Sequence, residues 1–147
     1  MKIVKGIPQE KILDVLEWYI HFNDLMDEEM FKSYIVINTD FNISLMLLDD
    51  NEKIVGAYLL GNNQIKGFVK NTSKFDELVG VEGVLLFIEE EYKKLGWGTK
   101  LKDYTRTLGY DYIWGQQFKD LNNLEDWLKR RELVGESKFI YFTAEVF

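Results

Sequence analysis

Glu89 to Leu101 reads EEEYKKLGWGTKL, and the fold turns on how this stretch is parsed. An apolar run, Val84–Ile88, precedes it and is bounded by Gly83. A helical pattern follows, with Leu101, Tyr104 and Leu108 at i, i+3 and i+7, stopped by Gly109. The order is therefore strand, loop, then a helix over 98–108. Gly96 and Gly98 flank Trp97 in the loop. Glycine lets backbone approach a ligand with no Cβ in the way. The first amides of a helix lack intrahelical partners and carry the positive end of its dipole. Such a junction is either an anion site, usually for phosphate, or a plain tight turn. Lys93, Lys94 and Lys100 add positive charge around it. The P-loop spacing G-x-x-x-x-G-K-[ST] is absent, and the third glycine of a dinucleotide fingerprint would fall at Leu101.

Working outward, Lys2–Val4 is a short strand and Pro8 opens a helix over 8–22. Its apolar face is read as Ile12, Leu16 and Tyr19, with Leu13 and Ile20 offset. Asp27-Glu28-Glu29 puts acids in the first turn of a second helix, 27–37, carrying Phe31 and Tyr34. Ile43–Leu48 and Lys53–Leu60 form a hairpin around Asp49-Asp50-Asn51-Glu52. Gln64–Val69 is a further short strand and Lys70–Val79 a loop. Tyr110–Phe118 is the strand after the glycine loop, Asn122-Asn123 caps a helix over 123–132, and Lys138–Phe147 is one last strand. Elements in this order give a mixed α/β sheet.

The loop and its setting resemble the GNAT N-acetyltransferase superfamily, whose Q/R-x-x-G-x-G/A motif lies between the fourth strand and the next helix. Lys93-Lys94-Leu95-Gly96-Trp97-Gly98 sits on that motif, with Lys93 where Gln or Arg is usual, and Tyr92 matches an aromatic just before it. The resemblance implies a mostly antiparallel central sheet with flanking helices and splayed fourth and fifth strands, in a single domain over 1–147. It implies an acetyl-CoA pyrophosphate on the amides of Leu95, Gly96, Trp97, Gly98 and Thr99, with Lys93 and Lys94 beside it. It implies pantetheine on the backbone of Leu86 and Ile88, and a cofactor contact from Asn122. Phe31 and Tyr34 would touch the acceptor; their plain reading is core packing.

The activity so implied is direct transfer of an acetyl or other acyl group to a primary amine. Glu82 stands eleven residues before Lys93, the offset of a base glutamate in the histone-acetylating branch. Its alternative is a solvated glutamate at a strand end. The family's L-Y-x-x-x-G-F pattern is missing: Leu128 falls at the tyrosine and Leu133 at the final Phe. Thiolate protonation then falls to Tyr104, Tyr141 or water. The alternative function is a degenerate relative that binds acyl-CoA or a protein without turnover. One long C-terminal strand, where the family has two, leaves the acceptor side open or completed by a second copy, a homodimer.

Composition bounds these readings. The chain has 147 residues, 46% of them hydrophobic and 29% charged, in the range of a globular protein with a real core. With no cysteine and one histidine, His21, disulfides, a thiol nucleophile and Cys- or His-rich metal sites are excluded, so no metal is expected. A net charge of −7 argues against nucleic acid and suits a cationic small-molecule or protein amine. No run approaches membrane-helix length and no signal-peptide core is read at the N-terminus, so the expectation is a cytoplasmic protein without a membrane partner.

Overall fold

The structure, a computed structural model, describes residues 1–121 and 124–147. Its elements run β1 (Lys2–Lys5), α1 (Gln9–Leu16), α2 (Glu28–Asn38), β2 (Leu45–Leu48), β3 (Ile54–Gly61) and β4 (Gly80–Ile88). Then come α3 (Glu90–Lys93), α4 (Trp97–Thr105), β5 (Tyr112–Phe118), α5 (Leu124–Trp127), β6 (Glu132–Glu136) and β7 (Ile140–Val146). The strands form one sheet in the order β1-β2-β3-β4-β5-β7-β6. Four of its ladders, β1–β2, β2–β3, β5–β7 and β6–β7, are antiparallel. β4 and β5 are parallel, in register from Gly80↔Tyr112 to Gly83↔Gly115. This is the mixed, mostly antiparallel α/β sheet expected from the sequence.

The chain forms two compact units, Met1–Gly61 with Val84–Asp103, and Asn62–Gly83 with Tyr104–Phe147. In the first, β2 and β3 are buried along their whole length. Their hairpin turns on Asp49, whose Oδ1 accepts the amides of Asn51 and Lys53, each at 2.9 Å. Asp27 caps α2 by accepting the Met30 amide at 2.8 Å. Phe31 and Ile35 of α2 are fully buried. Phe87 of β4 receives the Trp18 ring at 4.6 Å and the His21 ring at 4.9 Å.

The helix expected over 8–22 is shorter than that. α1 ends at Leu16 and tightens to a 3-10 helix over Glu17–His21. The buried residues of this stretch are Val15 at the end of α1 and Trp18 in the 3-10 turn. Leu13 and Ile20, placed on the apolar face by a 3.6 period, are instead 69% and 55% exposed.

In the second unit, Ile65, Phe75, Tyr112, Trp114 and Ala144 make a buried cluster. Gln64–Val69 is not a strand; its centre is a 3-10 turn, Ile65–Gly67. The Gln64 side chain does the pairing that a strand backbone would do. Its Oε1 accepts the Gly80 amide and its Nε2 donates to the Gly80 carbonyl, both at 2.8 Å. The C-terminus also departs from expectation, with two strands instead of one. β6 and β7 form a hairpin closed by the Ser137 amide on the Ile140 carbonyl at 2.8 Å. That hairpin claims the residues expected to end a helix at 132, so α5 is one turn, Leu124–Trp127.

Gly56 of β3 marks a close backbone approach: a Cβ there would lie 2.8 Å from the Phe87 carbonyl oxygen. Backbone cannot move aside as a flexible side chain can. Gly56→Ala is expected to destabilise the protein by about 1–3 kcal/mol, read as a lower urea midpoint with unchanged slope. An unchanged midpoint would show that the strands relax at no cost.

Candidate active site

Glu82 has no solvent exposure. The alternative of a solvated strand-end glutamate is therefore corrected: β4 starts at Gly80, and Glu82 lies inside the β4–β5 ladder opposite Trp114. Its Oε1 accepts from Asn63 Nδ2 at 2.9 Å and its Oε2 from Gln116 Nε2 at 3.3 Å. Burial raises the carboxyl's pKa above the ordinary range, and the two amide donors offset part of that rise. A carboxyl held in this way can take up and release a proton nearer neutrality.

The elements around it explain why it stays there. Trp114 is fully buried and its indole N–H donates to the Asn63 carbonyl at 2.7 Å. The Tyr112 phenol donates to Gln64 Oε1 at 3.2 Å and accepts the Ile65 amide at 3.3 Å. Burial raises the pKa of that phenol, against a smaller opposite effect from the Ile65 amide. On the opposite face of β5 lies a second polar group. Thr143 Oγ1 donates to Gln117 Oε1 at 2.8 Å and Arg131 Nη1 reaches Thr143 Oγ1 at 3.4 Å. The Arg131 guanidinium lies 4.4 Å from the Trp127 ring centroid, and all three polar residues are buried. Gly115 leaves room for this group: a Cβ there would stand 2.9 Å from Arg131 Nη1.

The glycine loop belongs to the first unit. The loop expected after β4 begins with one helical turn, Glu90–Lys93, and Lys93 Nζ pairs with Glu90 at 3.1 Å. Lys94, Leu95 and Gly96 are exposed. Gly96 has φ +83°, with open space where a Cβ would stand. The helix bond from the Lys100 amide to the Gly96 carbonyl is 3.2 Å long. The amides of Trp97, Gly98 and Thr99 precede it and so have no intrahelical partner. Gly98 sits 3.4 Å, measured from its would-be Cβ, from Ile88 Cδ1, and the Lys100 ammonium lies 4.1 Å from the Trp97 ring centroid. The Leu95 amide is already given to the Tyr92 carbonyl at 3.2 Å, so the loop offers the first-turn amides of Trp97, Gly98 and Thr99 beside exposed lysines, which suit an anion.

The remaining expected residues fall as follows. Leu86 is half-buried and Ile88 buried on β4. Phe31 is fully buried and stacks on Phe22 at 5.4 Å, while Tyr34 is half-buried. Tyr104 is half-buried at the last turn of α4. Tyr141 pairs in register with Gln117, under the Lys119 ammonium. Strand alternation puts it on the opposite face of β5 from Gln116, and so away from the Glu82 contact. Leu128, at the family's tyrosine position, is 40% exposed. Asn122 lies outside the described residues. Asn63, Gln116 and Arg131 were not read as site residues from the sequence. Gln116 had one usable signal: it is polar and two residues on from Trp114, on the same face of the strand expected over Tyr110–Phe118.

Among the described residues, no group of three or more His, Asp or Glu is arranged to hold a metal, and no helix is long and apolar enough to cross a membrane.

No family model and no curated protein matches the chain. Solved structures do. The chain is similar to the GNAT-family N-acetyltransferase YhbS from Escherichia coli in complex with CoA, at TM-score 0.66 and 15% identity over 99% of this chain and 80% of that one. It is similar to the PaiA N-acetyltransferase from Thermoplasma acidophilum in complex with coenzyme A, at TM-score 0.63 and 10% identity over 100% of both chains. It is also similar to a GNAT-family acetyltransferase from Staphylococcus aureus Mu50, at TM-score 0.64 and 14% identity over 99% and 98%. The chain has the fold of the GNAT N-acetyltransferases.

The folded protein holds the Glu82 proton more tightly than the unfolded chain does. The stability tied to its neutral form is therefore present at low pH and lost as pH rises through the folded pKa. Glu82→Gln, always neutral, is expected to gain stability relative to the parent as pH goes from about 4 to about 8. Urea midpoints of both proteins across that range check this; parallel curves would contradict the raised pKa.

Proposed function

We propose that this chain is an acyl-CoA-dependent N-acyltransferase that moves an acetyl group directly to a primary amine, in one domain over 1–147. The observation that carries the reading is Glu82: a buried carboxyl, high in pKa, on the strand that runs directly into the exposed glycine loop. The GNAT fold supports it.

In this reading the amides from Gly96 to Thr99, with Lys93 and Lys94, hold the pyrophosphate of acetyl-CoA. The open space over Gly96 and the unpartnered first turn of α4 fit such a group. The backbone of Leu86 and Ile88 lines the pantetheine arm, and Asn122 adds a cofactor contact. Glu82 takes a proton from the acceptor ammonium. The freed amine nitrogen bonds to the thioester carbonyl carbon, and charge on the carbonyl oxygen is met by the Ile88 N–H. The carbon–sulfur bond then breaks, the nitrogen gives its second proton to water, and the thiolate takes its proton from Tyr104 or water; Tyr141 lies on the face of β5 away from Glu82. Tyr34, half-buried, lines the acceptor wall, whereas Phe31, fully buried against Phe22, packs in the core. The net charge of −7 favours a cationic small molecule or protein amine. A cytoplasmic location completes the proposal; with β6 and β7 both present, the single-stranded C-terminus that suggested a homodimer is not found.

A second reading is binding without turnover. It is favoured by Leu128 where the family carries tyrosine, and by a Glu82 with no exposed surface.

Calorimetry with acetyl-CoA, with adenosine 3′,5′-bisphosphate alongside, tests both. Micromolar binding that is lost in the Gly96→Glu, Gly98→Glu double variant supports the loop as the CoA site; unaltered binding removes it. Glu82→Gln is expected to lower kcat by about 10²-fold or more with acetyl-CoA affinity unchanged. Binding with no thiol release across an amine panel selects the second reading.

A further inference from the structure

Glu82 is gripped unequally on its two oxygens. Asn63 Nδ2 donates to Oε1 at 2.9 Å, a normal hydrogen bond, whereas Gln116 Nε2 reaches Oε2 at 3.3 Å, a long one. Asn63 is itself anchored. Its backbone carbonyl accepts the Trp114 indole N–H at 2.7 Å, and Trp114 is fixed in the buried cluster with Ile65, Phe75 and Tyr112. Gln116 follows Trp114 by two residues, shares its face of β5, and is partly exposed. One oxygen is therefore tied to the core, and the other faces a side chain that reaches the surface.

We propose that Asn63 is a positioning residue for Glu82: held by Trp114, it fixes Oε1, so that Oε2, behind Gln116, is the oxygen that takes up the proton. This rests on Glu82 being the base of the proposed transfer. Each carboxylate oxygen has a second lone-pair site, so Oε2 can accept a proton once Gln116 yields. The charges around Glu82 are few. β4 carries no other charged residue, Asn62–Gln64 carries none, and Tyr112 is the only titratable residue of β5. The Tyr112 phenol is turned to Gln64, and Arg131 lies on the other face, against Gly115 and Thr143. On β7, Glu145 is paired with Arg106. With no ion pair beside it, the carboxyl is set by burial, which raises its pKa, and by the two amide donors, which lower it.

The test uses the full chain labelled with [δ-13C]glutamate. The Glu82 signal is assigned by its loss in Glu82→Gln and followed with pH, in parallel with kcat against pH for acetyl-CoA and a lysyl peptide or 1,4-diaminobutane. Asn63→Ala is expected to raise the Glu82 titration by about one pH unit, the size of one lost charge-assisted bond. The acid limb of kcat should move with it. Asn63→Leu, which keeps the number and branching of Asn's side-chain heavy atoms, should do the same if Ala folds poorly, and Gln116→Ala should move the titration less. A Glu82 titration unchanged in both Asn63 variants overturns the proposal. A titration that moves while the kcat limb stays supports the positioning and removes Glu82 as the base, which is failure of the functional reading instead.

Discussion

The fold depends on one pairing, the parallel contact between β4 and β5. Antiparallel neighbours can be joined by a tight turn, but parallel ones need a crossover. Residues 89–111 are that crossover, and they hold α3, the glycine loop and α4. The same requirement that makes the strands parallel sends the chain from the end of β4 into a helix N-terminus. A candidate anion site therefore follows from topology as much as from the glycines. β5 meets the other side of the constraint. It carries a parallel ladder with β4 and a seven-residue antiparallel one with β7, and Tyr112, Ile113 and Trp114 are at most 3% exposed.

A strand buried this deeply has to account for every polar group it carries. Glu82, Gln116, Gln117 and Thr143 all lie in or beside the β4–β5–β7 ladders, and each is hydrogen-bonded. Leaving a buried polar group unpaired costs ~1–3 kcal/mol, more when it is charged. The Asn62–Gln64 segment supplies much of the compensation, with Asn63 on Glu82 and Gln64 on the Gly80 backbone. What looks in sequence like a polar turn before a short strand is a set of side-chain hooks. Only the paired geometry shows that these amides are committed to β4 and not to solvent.

Much of the element order was legible. The β2–β3 hairpin, the acid-capped α2 and the strand–loop–helix passage around Gly96 each carry a local signal: turn residues, a cap, a change of period. The misreadings share a cause. The first helix was phased at 3.6 residues per turn, but it tightens to a 3-10 helix at Glu17, and the burial of Trp18 sets that change. Gln64–Val69 has strand-like composition, but the Gln64 side chain occupies the place of backbone pairing. The C-terminal hairpin reads as one strand in sequence because its turn, Ser137-Lys138-Phe139, carries a weak turn signal, and β6 is stabilised by its partner more than by its own pattern.

By itself, then, the sequence determined the class of fold and the position of the glycine junction, because period, caps and glycine conformations are properties of neighbouring residues. It also put a glutamate, Glu82, on the strand before that junction, eleven residues ahead of Lys93. The tertiary structure decided what that glutamate is. Burial raises the Glu82 carboxyl's pKa, and the donors from Asn63 and Gln116 hold the buried group and offset part of that rise. Those donors lie 19 and 34 residues away along the chain, and nothing local specifies that they meet. Desolvation is a property of the whole packed sheet, and no window of sequence contains it.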